Sequence, residues 1–152
     1  DRIRETVFNW LGQVLSGLSC LDLFAGSGAL GFEAASRGAE RVVMVEADAK
    51  IYRALCENKE SLQAMQVEPV MMNALNFMNS DVRRFDVVFL DPPYRLELLP
   101  ELLLLLPSHL EKNGRVYTET RGVWIPDKPW NIKRSAKAGT VYYQLLELKP
   151  NG

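Results

Sequence analysis

Residues 21–31, which read LDLFAGSGALG, decide the fold that we predict for this chain. The apolar residues at the start of this stretch continue a run that predicts a buried strand over residues 19–24. Glycines follow at positions 26, 28 and 31, and a helical pattern continues from there to about Arg37. Glycines at this spacing permit a tight turn and let the backbone come close to a ligand. The stretch therefore predicts a strand, a ligand-binding turn and a helix in direct succession.

Strands and helices alternate on both sides of this unit. Helices are predicted at residues 2–15, from the glycine loop to 37, and at 48–65, 74–78 and 96–110. Strands are predicted at residues 19–24, 41–45, 67–72, 85–90, 114–119, 131–137 and 141–148, with a hairpin turn at 138–140. Strands that alternate with helices form parallel sheets covered on both faces. We therefore predict an α/β fold, a Rossmann-like, doubly wound, mostly parallel seven-stranded sheet with an antiparallel C-terminal hairpin.

Two acidic residues flank the glycine loop. Glu46 closes the second predicted strand, where a carboxylate can accept hydrogen bonds from both hydroxyls of a ribose. The glycine spacing also matches a dinucleotide-binding fingerprint, so the loop alone leaves both a nicotinamide cofactor and S-adenosylmethionine (SAM) open. Asp22 lies four residues before Gly26 and favours SAM, because an acid there suits an ammonium group and would repel a pyrophosphate.

Asn73 and Ala74 follow the third predicted strand. An amide side chain at this point can reach the edge of an adenine. Asn73 can equally serve as the N-cap of the next helix. The two roles are compatible, and the residues leave both open.

The tetrapeptide Asp91-Pro92-Pro93-Tyr94 follows the fourth predicted strand. Proline fixes φ and removes backbone donors, and Pro93 also keeps Pro92 extended. The result is a rigid corner of hydrogen-bond acceptors with an aromatic side chain beside it, which suits a planar amine such as the exocyclic amino group of a nucleobase. In isolation Asp91 is equally a helix cap, but the complete glycine loop upstream favours the chemical role.

The composition excludes several classes of protein. The chain has 152 residues, 47% of them hydrophobic and none in a run that could span a bilayer, which is typical of a globular domain. Cys20 and Cys56 show no CxxC spacing, so we predict no metal site and no disulfide, and a reducing cytoplasm as the compartment. The net charge of −1 excludes a uniformly basic nucleic-acid binder. Residues 112–149 nevertheless carry eight basic and three acidic residues, which can mark a nucleic-acid face, although charge alone favours a solvated hairpin.

Taken together, these motifs resemble those of class I SAM-dependent methyltransferases. The glycine loop resembles motif I, Glu46 the acidic residue of motif II, and Asn73 with Ala74 motif III. The segment from Asp91 to Tyr94 resembles motif IV of amino-group methyltransferases. Residues 1–10, DRIRETVFNW, are similar to the segment before motif I in the RsmD-type family, which methylates the N2 amine of one guanine in bacterial 16S rRNA.

This resemblance implies a cofactor, a substrate and a set of site residues. The cofactor is SAM, and the substrate is 16S rRNA, within the 30S subunit or an assembly intermediate. A bacterial, cytoplasmic enzyme without a metal is implied, and a monomer suits a ribosomal substrate. The cofactor-binding residues implied are Asp22, Phe24, Ala25, Gly26, Ser27, Gly28, Glu46, Ala47, Asn73 and Ala74. The catalytic residues implied are Asp91, Pro92, Pro93 and Tyr94.

Three other functions remain open from the sequence: an amino methyltransferase for DNA adenine or protein glutamine, an NAD-dependent oxidoreductase, and an inert SAM- or RNA-binding module. We interpret residues 1–152 as one methyltransferase domain, with residues 1–16 as an N-terminal helical extension. Because the chain starts at Asp1 without a methionine, we expect a further segment before it. We expect Gly28→Val to abolish cofactor binding by filling the space that the ligand needs, and Asp91→Ala to lose turnover while keeping cofactor binding.

Overall fold

The computed structural model describes residues 2–92 and 98–149 of the chain. Within them, seven strands form one sheet: β1 (Ser19–Asp22), β2 (Arg41–Glu46), β3 (Val67–Met71), β4 (Phe85–Leu90), β5 (Leu110–Thr120), β6 (Trp130–Ala138) and β7 (Val141–Leu148). They lie in the order β3-β2-β1-β4-β5-β7-β6. The first five strands pair in parallel, whereas β7 is antiparallel to both β5 and β6. The predicted mostly parallel sheet with a C-terminal antiparallel hairpin is confirmed.

Five α-helices connect or precede these strands in the described residues: α1 (Arg2–Leu11), α2 (Ala29–Ser36), α3 (Ala49–Leu62), α4 (Ala74–Ser80) and α5 (Leu98–Leu105). A 3₁₀ turn, Leu106–His109, follows α5 and leads into β5. No helix in these ranges has the length and apolar character needed to cross a membrane.

Helices cover both faces of the sheet because the strand residues alternate between two apolar cores. Leu21 and Val43 pack on one face with Phe77 of α4 and Leu102 of α5. Their neighbours along the strands, such as Cys20 and Val42, pack on the opposite face with residues of α1, α2 and α3. Central strands that are buried on both sides read as continuous apolar runs, as β2 and β4 do.

Several element bounds differ from those predicted. α1 ends at Leu11 rather than at residue 15, because Gly12 adopts a φ of 102° that a right-handed helix cannot continue. The predicted helix over 96–110 ends as an α-helix at Leu105, and residues 96 and 97 lie outside the described ranges. β5 begins at Leu110, four residues earlier than predicted, and its pairing with β4 is irregular before Arg115.

Candidate active site

A cleft of about 490 Å³ opens at the carboxyl ends of β1, β2, β3 and β4. β2 and β3 lie on one side of β1 in the sheet, and β4 and the later strands lie on its other side. Ligands of doubly wound sheets bind at such a switch in strand order. Seven of the predicted site residues line this cleft: Phe24, Gly26, Glu46, Ala47, Asn73, Ala74 and Asp91. The fold thus gathers segments predicted separately from four strand ends.

The carboxylate of Glu46 is held by two backbone amides. The N–H of Gly26 donates to its Oε1 at 3.0 Å, and the N–H of Asp48 donates to its Oε2 at 2.9 Å. Each carboxylate oxygen can accept more than one hydrogen bond. Glu46 therefore ties the glycine loop to the end of β2 and retains acceptor capacity for a ligand.

Asp22 is buried at the end of β1, with 3% of its surface exposed. The backbone amides of Phe24 and Gly31, at the two ends of the glycine loop, interact with its carboxylate and lower its pKa. Burial, helped by the charges of Asp91 and Glu46, raises the pKa of Asp22 to about 7, against the lowering effect of the two amides. Asp22 is not part of the cleft lining.

The glycines of the loop serve two different purposes. Gly28 is the N-cap of α2 at a φ of 87°, and a Cβ there would come within 2.6 Å of the Phe32 ring and 2.9 Å of Leu55. The expectation that Gly28→Val fills ligand space is therefore wrong, because the added side chain would collide with the protein's own packing. Gly26 lines the cleft, and a Cβ there would meet only the Phe24 carbonyl oxygen, at 4.0 Å.

Asn73 lies in the cleft lining and also caps α4. Its Oδ1 accepts a hydrogen bond from the N–H of Asn76 at 2.8 Å. The capping role that the sequence left open is thus present, and the side-chain NH₂ of Asn73 is a further donor. Ala74 follows as the first residue of the helix and is buried.

Asp91 lies in the cleft directly after β4. Burial raises the pKa of Asp91 to about 6, with the charge of Glu119 and a hydrogen bond to it adding to the rise and Arg121 opposing it. Pro92 is buried, while the predicted site residues Pro93 and Tyr94 lie outside the described residues. An acid of this kind is largely ionised at neutral pH and holds a proton more readily than an ordinary aspartate.

Some predicted residues do not line the cleft, and some lining residues were not predicted. Ala25, Ser27 and Gly28 join Asp22 outside the lining. The missed residues share apolar side chains: Leu23, Val45, Ile51, Met72 and Leu98. Ile51 has 39% of its surface exposed in the first turn of α3, and nothing in the sequence marks such a single apolar residue as part of a ligand site.

The sequence also matches a known family. The family model described as Conserved hypothetical protein 95 matches residues 1–147. The chain belongs to this family.

Relatives of this chain carry informative names. Ribosomal RNA small subunit methyltransferase D of Escherichia coli K12 is 38% identical over 157 aligned positions, which cover 100% of this chain and 79% of that protein. The protein of the same name from Haemophilus influenzae is 37% identical, over 97% of this chain and 80% of its own length. The resemblance to the RsmD-type family is confirmed.

Solved structures agree with this membership. The structure of the Escherichia coli protein yhhF matches with a TM-score of 0.92 and 37% identity, covering 99% of this chain and 88% of that chain. A conserved hypothetical protein from Streptococcus pyogenes matches with a TM-score of 0.86 and 31% identity, over 94% of this chain and 93% of its own. This chain therefore shares its α/β architecture with both of these solved structures.

Proposed function

We infer that this protein is a SAM-dependent methyltransferase that modifies the exocyclic N2 amine of a guanine in bacterial 16S rRNA. The observation that carries this inference is the position of Asp91 in the same cleft as Glu46 and Asn73, in a chain 38% identical to a ribosomal RNA small subunit methyltransferase. In this proposal Asp91 accepts hydrogen bonds from the amine, and Glu46 and Asn73 bind the nucleoside part of SAM in the same cleft.

We propose that SAM binds in this cleft. A volume of about 490 Å³ lies within the roughly 300–1,000 Å³ usual for small-molecule sites. Glu46 would accept the ribose hydroxyls, Asn73 would donate to the adenine edge, and Ile51 and Met72 would pack on its faces. The loop from Phe24 to Gly28, with Ala25 and Ser27, would follow the methionyl part, whose ammonium group Asp22 would neutralise. SAM supplies a methyl group carried on a sulfonium.

The charges around the cleft favour SAM over a dinucleotide. Asp22 and Glu46 place two acidic groups at the ends of β1 and β2, and the charge of Glu46 contributes to the raised pKa of Asp22. Such a field attracts a sulfonium and an ammonium. It repels a pyrophosphate, which argues against the nicotinamide oxidoreductase.

Catalysis in this proposal depends on orientation of the amine. The N2 lone pair of guanine is delocalised into the ring, which makes this nitrogen a weak nucleophile. Asp91 and the Pro92 carbonyl would accept its two N–H bonds, with Pro93 keeping the corner rigid, and so aim the lone pair at the methyl group. Positioning of this kind supplies about 7–11 kcal/mol in favourable cases. Tyr94 would stack on the base, a contact worth about 1–3 kcal/mol.

The C-terminal hairpin offers a surface for the RNA backbone. β6 is the edge strand, and its side chains Lys133, Arg134 and Lys137 are exposed. Lys137 pairs in register with Tyr142, and Tyr142 with Thr120 at the end of β5 beside β4. With strands about 4.8 Å apart, Lys137 lies about 14 Å across the sheet from the level of Pro92. We propose that these cations contact phosphates beside the target base.

The partner and setting follow from the same proposal. The substrate would be 16S rRNA within the 30S subunit or an assembly intermediate, met by a monomeric enzyme in the bacterial cytoplasm. A target guanine held in a stacked or paired context would have to be extruded into the cleft.

Methyl transfer from tritiated SAM tests the substrate class. We expect label to enter 30S particles or rRNA from a strain lacking the endogenous enzyme, and not DNA or protein. Asp91→Ala should bind SAM with unchanged affinity in calorimetry and lose about 100-fold or more of the transfer rate. Label found instead in DNA adenine or protein glutamine would overturn the rRNA assignment. Equal loss of SAM binding in Asp91→Ala would contradict the role given to Asp91.

A further inference from the structure

Glu119 stands beside Asp91 at the carboxyl edge of the sheet. β4 and β5 are parallel, and Leu90 is paired with Thr118. The residues that follow, Asp91 and Glu119, therefore lie side by side on neighbouring chains about 4.8 Å apart, and alternation along the strands directs their side chains to the same face. The sequence gives no hint of this pairing, because the two residues are 28 positions apart.

The Glu119 carboxylate has a partner on each side. One is the Asp91 carboxyl, which donates a hydrogen bond to it when Asp91 is protonated. The other is Tyr117, whose hydroxyl donates to Oε2 of Glu119 at 2.9 Å. Tyr117 is 1% exposed, and its ring packs edge-on against Phe89 at a centroid distance of 6.4 Å. A buried phenol fixed by core packing thus holds the carboxylate that contacts Asp91.

The charges around this pair explain how the proton is held. Asp91 is influenced by Glu119 and Arg121 on and after β5, and it interacts with Asp22 of β1 and with Tyr117. Burial, followed by Glu119, raises the pKa of Tyr117 far above its ordinary range, and Asp91 and Tyr143 of β7 act in the same direction. Tyr117 therefore remains a donor across the whole working pH range, and the proton that can move is one taken up by the Asp91 carboxyl.

We propose that Glu119 is a positioning residue for methyl transfer: held by Tyr117, it fixes the Asp91 carboxyl towards the amine and shares the proton that Asp91 receives. This rests on the proposed methyl transfer at Asp91. Nothing in the residues of motif IV themselves assigns a partner to Asp91, and the adjacent strand supplies one.

The step balances in atoms and charge. The amine nitrogen forms a bond to the methyl carbon as the bond from that carbon to sulfur breaks, and the electron pair of the broken bond stays on sulfur. The nitrogen becomes cationic and gives up one proton. Asp91 takes this proton, which lies in the hydrogen bond to Glu119 until it is released to water. A proton acceptor is most effective when its proton affinity is matched to the working pH, and Glu119 brings Asp91 closer to that condition.

Glu119→Gln tests this role, because it keeps the shape of the side chain and removes the charge. In the protein alone, a ¹³C carboxyl titration of Asp91 should show its pKa falling from about 6 while staying above the ordinary value, since burial remains. The single-turnover rate of methyl transfer to rRNA should fall by about 10- to 100-fold, and the acidic limb of its pH profile should move to lower pH. SAM affinity by calorimetry should be unchanged.

Two further variants keep the test decisive. Tyr117→Phe removes only the hydroxyl and should move the Asp91 titration and the rate in part, even if Glu119→Gln folds poorly. Glu111→Gln, at the opposite end of β5, should change neither. An Asp91 titration that is unmoved in Glu119→Gln, or a rate that is retained, overturns the proposal. A wild-type protein that leaves rRNA unmethylated contradicts the proposed function instead, and the titration then still decides whether the two carboxyls are paired.

Discussion

Glu46 and Asp22 are two carboxylates of the same site that the fold places in different environments. Glu46 is partly exposed in the cleft lining and accepts amide hydrogen bonds on both oxygens. Asp22 is buried, and its pKa is raised to about 7. The first therefore faces the ligand space as an acceptor, whereas the protonation of the second changes near neutral pH.

Glu46→Gln should weaken SAM binding by about 10- to 100-fold, because hydrogen bonds to a charged group are worth about 1.5–3 kcal/mol each. The amide keeps one acceptor oxygen and loses the other, so both the ligand contact and the anchoring of the glycine loop suffer. Calorimetric titration with SAM measures the change. Glu111→Gln, which is exposed and distant from the cleft, is the matched control. Equal affinities for the two variants would contradict the role of Glu46.

Asp22 should make stability depend on pH in a defined direction. Its pKa rises from 3.8 to about 7 on folding, so the folded state retains a proton that the unfolded chain has lost. The free energy of unfolding contributed by this proton is fully present below about pH 4 and is lost as pH rises through 7. In the wild-type protein without SAM, the free energy of unfolding in urea should therefore decline with rising pH by up to about 1.4 kcal/mol per pH unit owing to Asp22. Asp22→Asn should remove this part of the decline. An unchanged slope would show that Asp22 is not buried as described.

Among single residues, the sequence predicted site residues at strand ends well. It did not predict residues whose role arises only from the pairing of two strands. Glu46, Asn73 and Asp91 each follow or close an apolar run, and all three line the cleft. Glu119 was recognised only as a charge, because its meaning depends on the β4–β5 register. Ile51 and Met72 were missed because single apolar residues carry no chemical signal in a sequence.

Among the elements, the strand, loop and helix from β1 to α2 form the unit on which the site is built. The N–H of Gly28 donates to the carbonyl of Ala25 at 2.8 Å, which closes the turn before α2 begins. Gly31 lies against β2, since a Cβ there would come within 2.8 Å of the Met44 side chain. The loop is thus shaped by contacts inside the protein as well as by the ligand it is proposed to bind.

Gly28→Ala should lower the free energy of unfolding by about 2 kcal/mol, because the added Cβ meets Phe32 and Leu55 and the left-handed φ is strained for alanine. Urea unfolding of the protein without SAM measures this loss. Gly122→Ala is the control, since a Cβ at Gly122 would meet nothing within 4 Å. If both variants were equally stable, the packing assigned to Gly28 would be wrong.

Element order followed from periodicity, but element ends did not. The apolar runs of β2 and β4 are visible in the sequence because these strands are buried on both faces. β5 was predicted to begin late, because Glu111, Lys112 and Asn113 interrupt its apolar pattern while the strand continues with a left-handed residue at Asn113. Local polarity can therefore conceal a strand that tertiary pairing maintains.

At the scale of the whole molecule, the chain is nearly neutral, but the sheet order places its basic C-terminal hairpin on one side of the cleft. The net charge is −1, yet the C-terminal hairpin presents Lys133, Arg134 and Lys137 on the edge strand. The Lys133 Nζ lies 3.7 Å from a Glu147 oxygen, and the Lys137 Nζ lies 5.3 Å from the centre of the Tyr142 ring. From charge alone, the excess of basic residues in the C-terminal hairpin favoured a solvated surface. The sheet order now places these basic residues on the side of β5 that faces away from β4, the strand before Asp91.

Arg134→Gln combined with Lys137→Gln should weaken rRNA binding and leave SAM affinity unchanged. Loss of two phosphate contacts should reduce the slope of log K against log salt by about 1.4, at roughly 0.7 per contact for single-stranded RNA. Fluorescence anisotropy across a salt series measures this slope. Lys112→Gln, on β5 away from the carboxyl edge, should leave it unaltered. An equal slope in the double variant would remove the hairpin from the RNA surface.

The position of the transferred methyl group tests the central claim most directly. 16S rRNA from 30S particles treated with SAM and the protein is digested to nucleosides, and the methylated product is identified by mass spectrometry, with Asp91→Ala as the inactive control. We predict a single additional N2-methylguanosine, absent with the variant. Methylation at a ring nitrogen, at a ribose or at another base, or equal product with Asp91→Ala, would contradict the account of an amine oriented by Asp91.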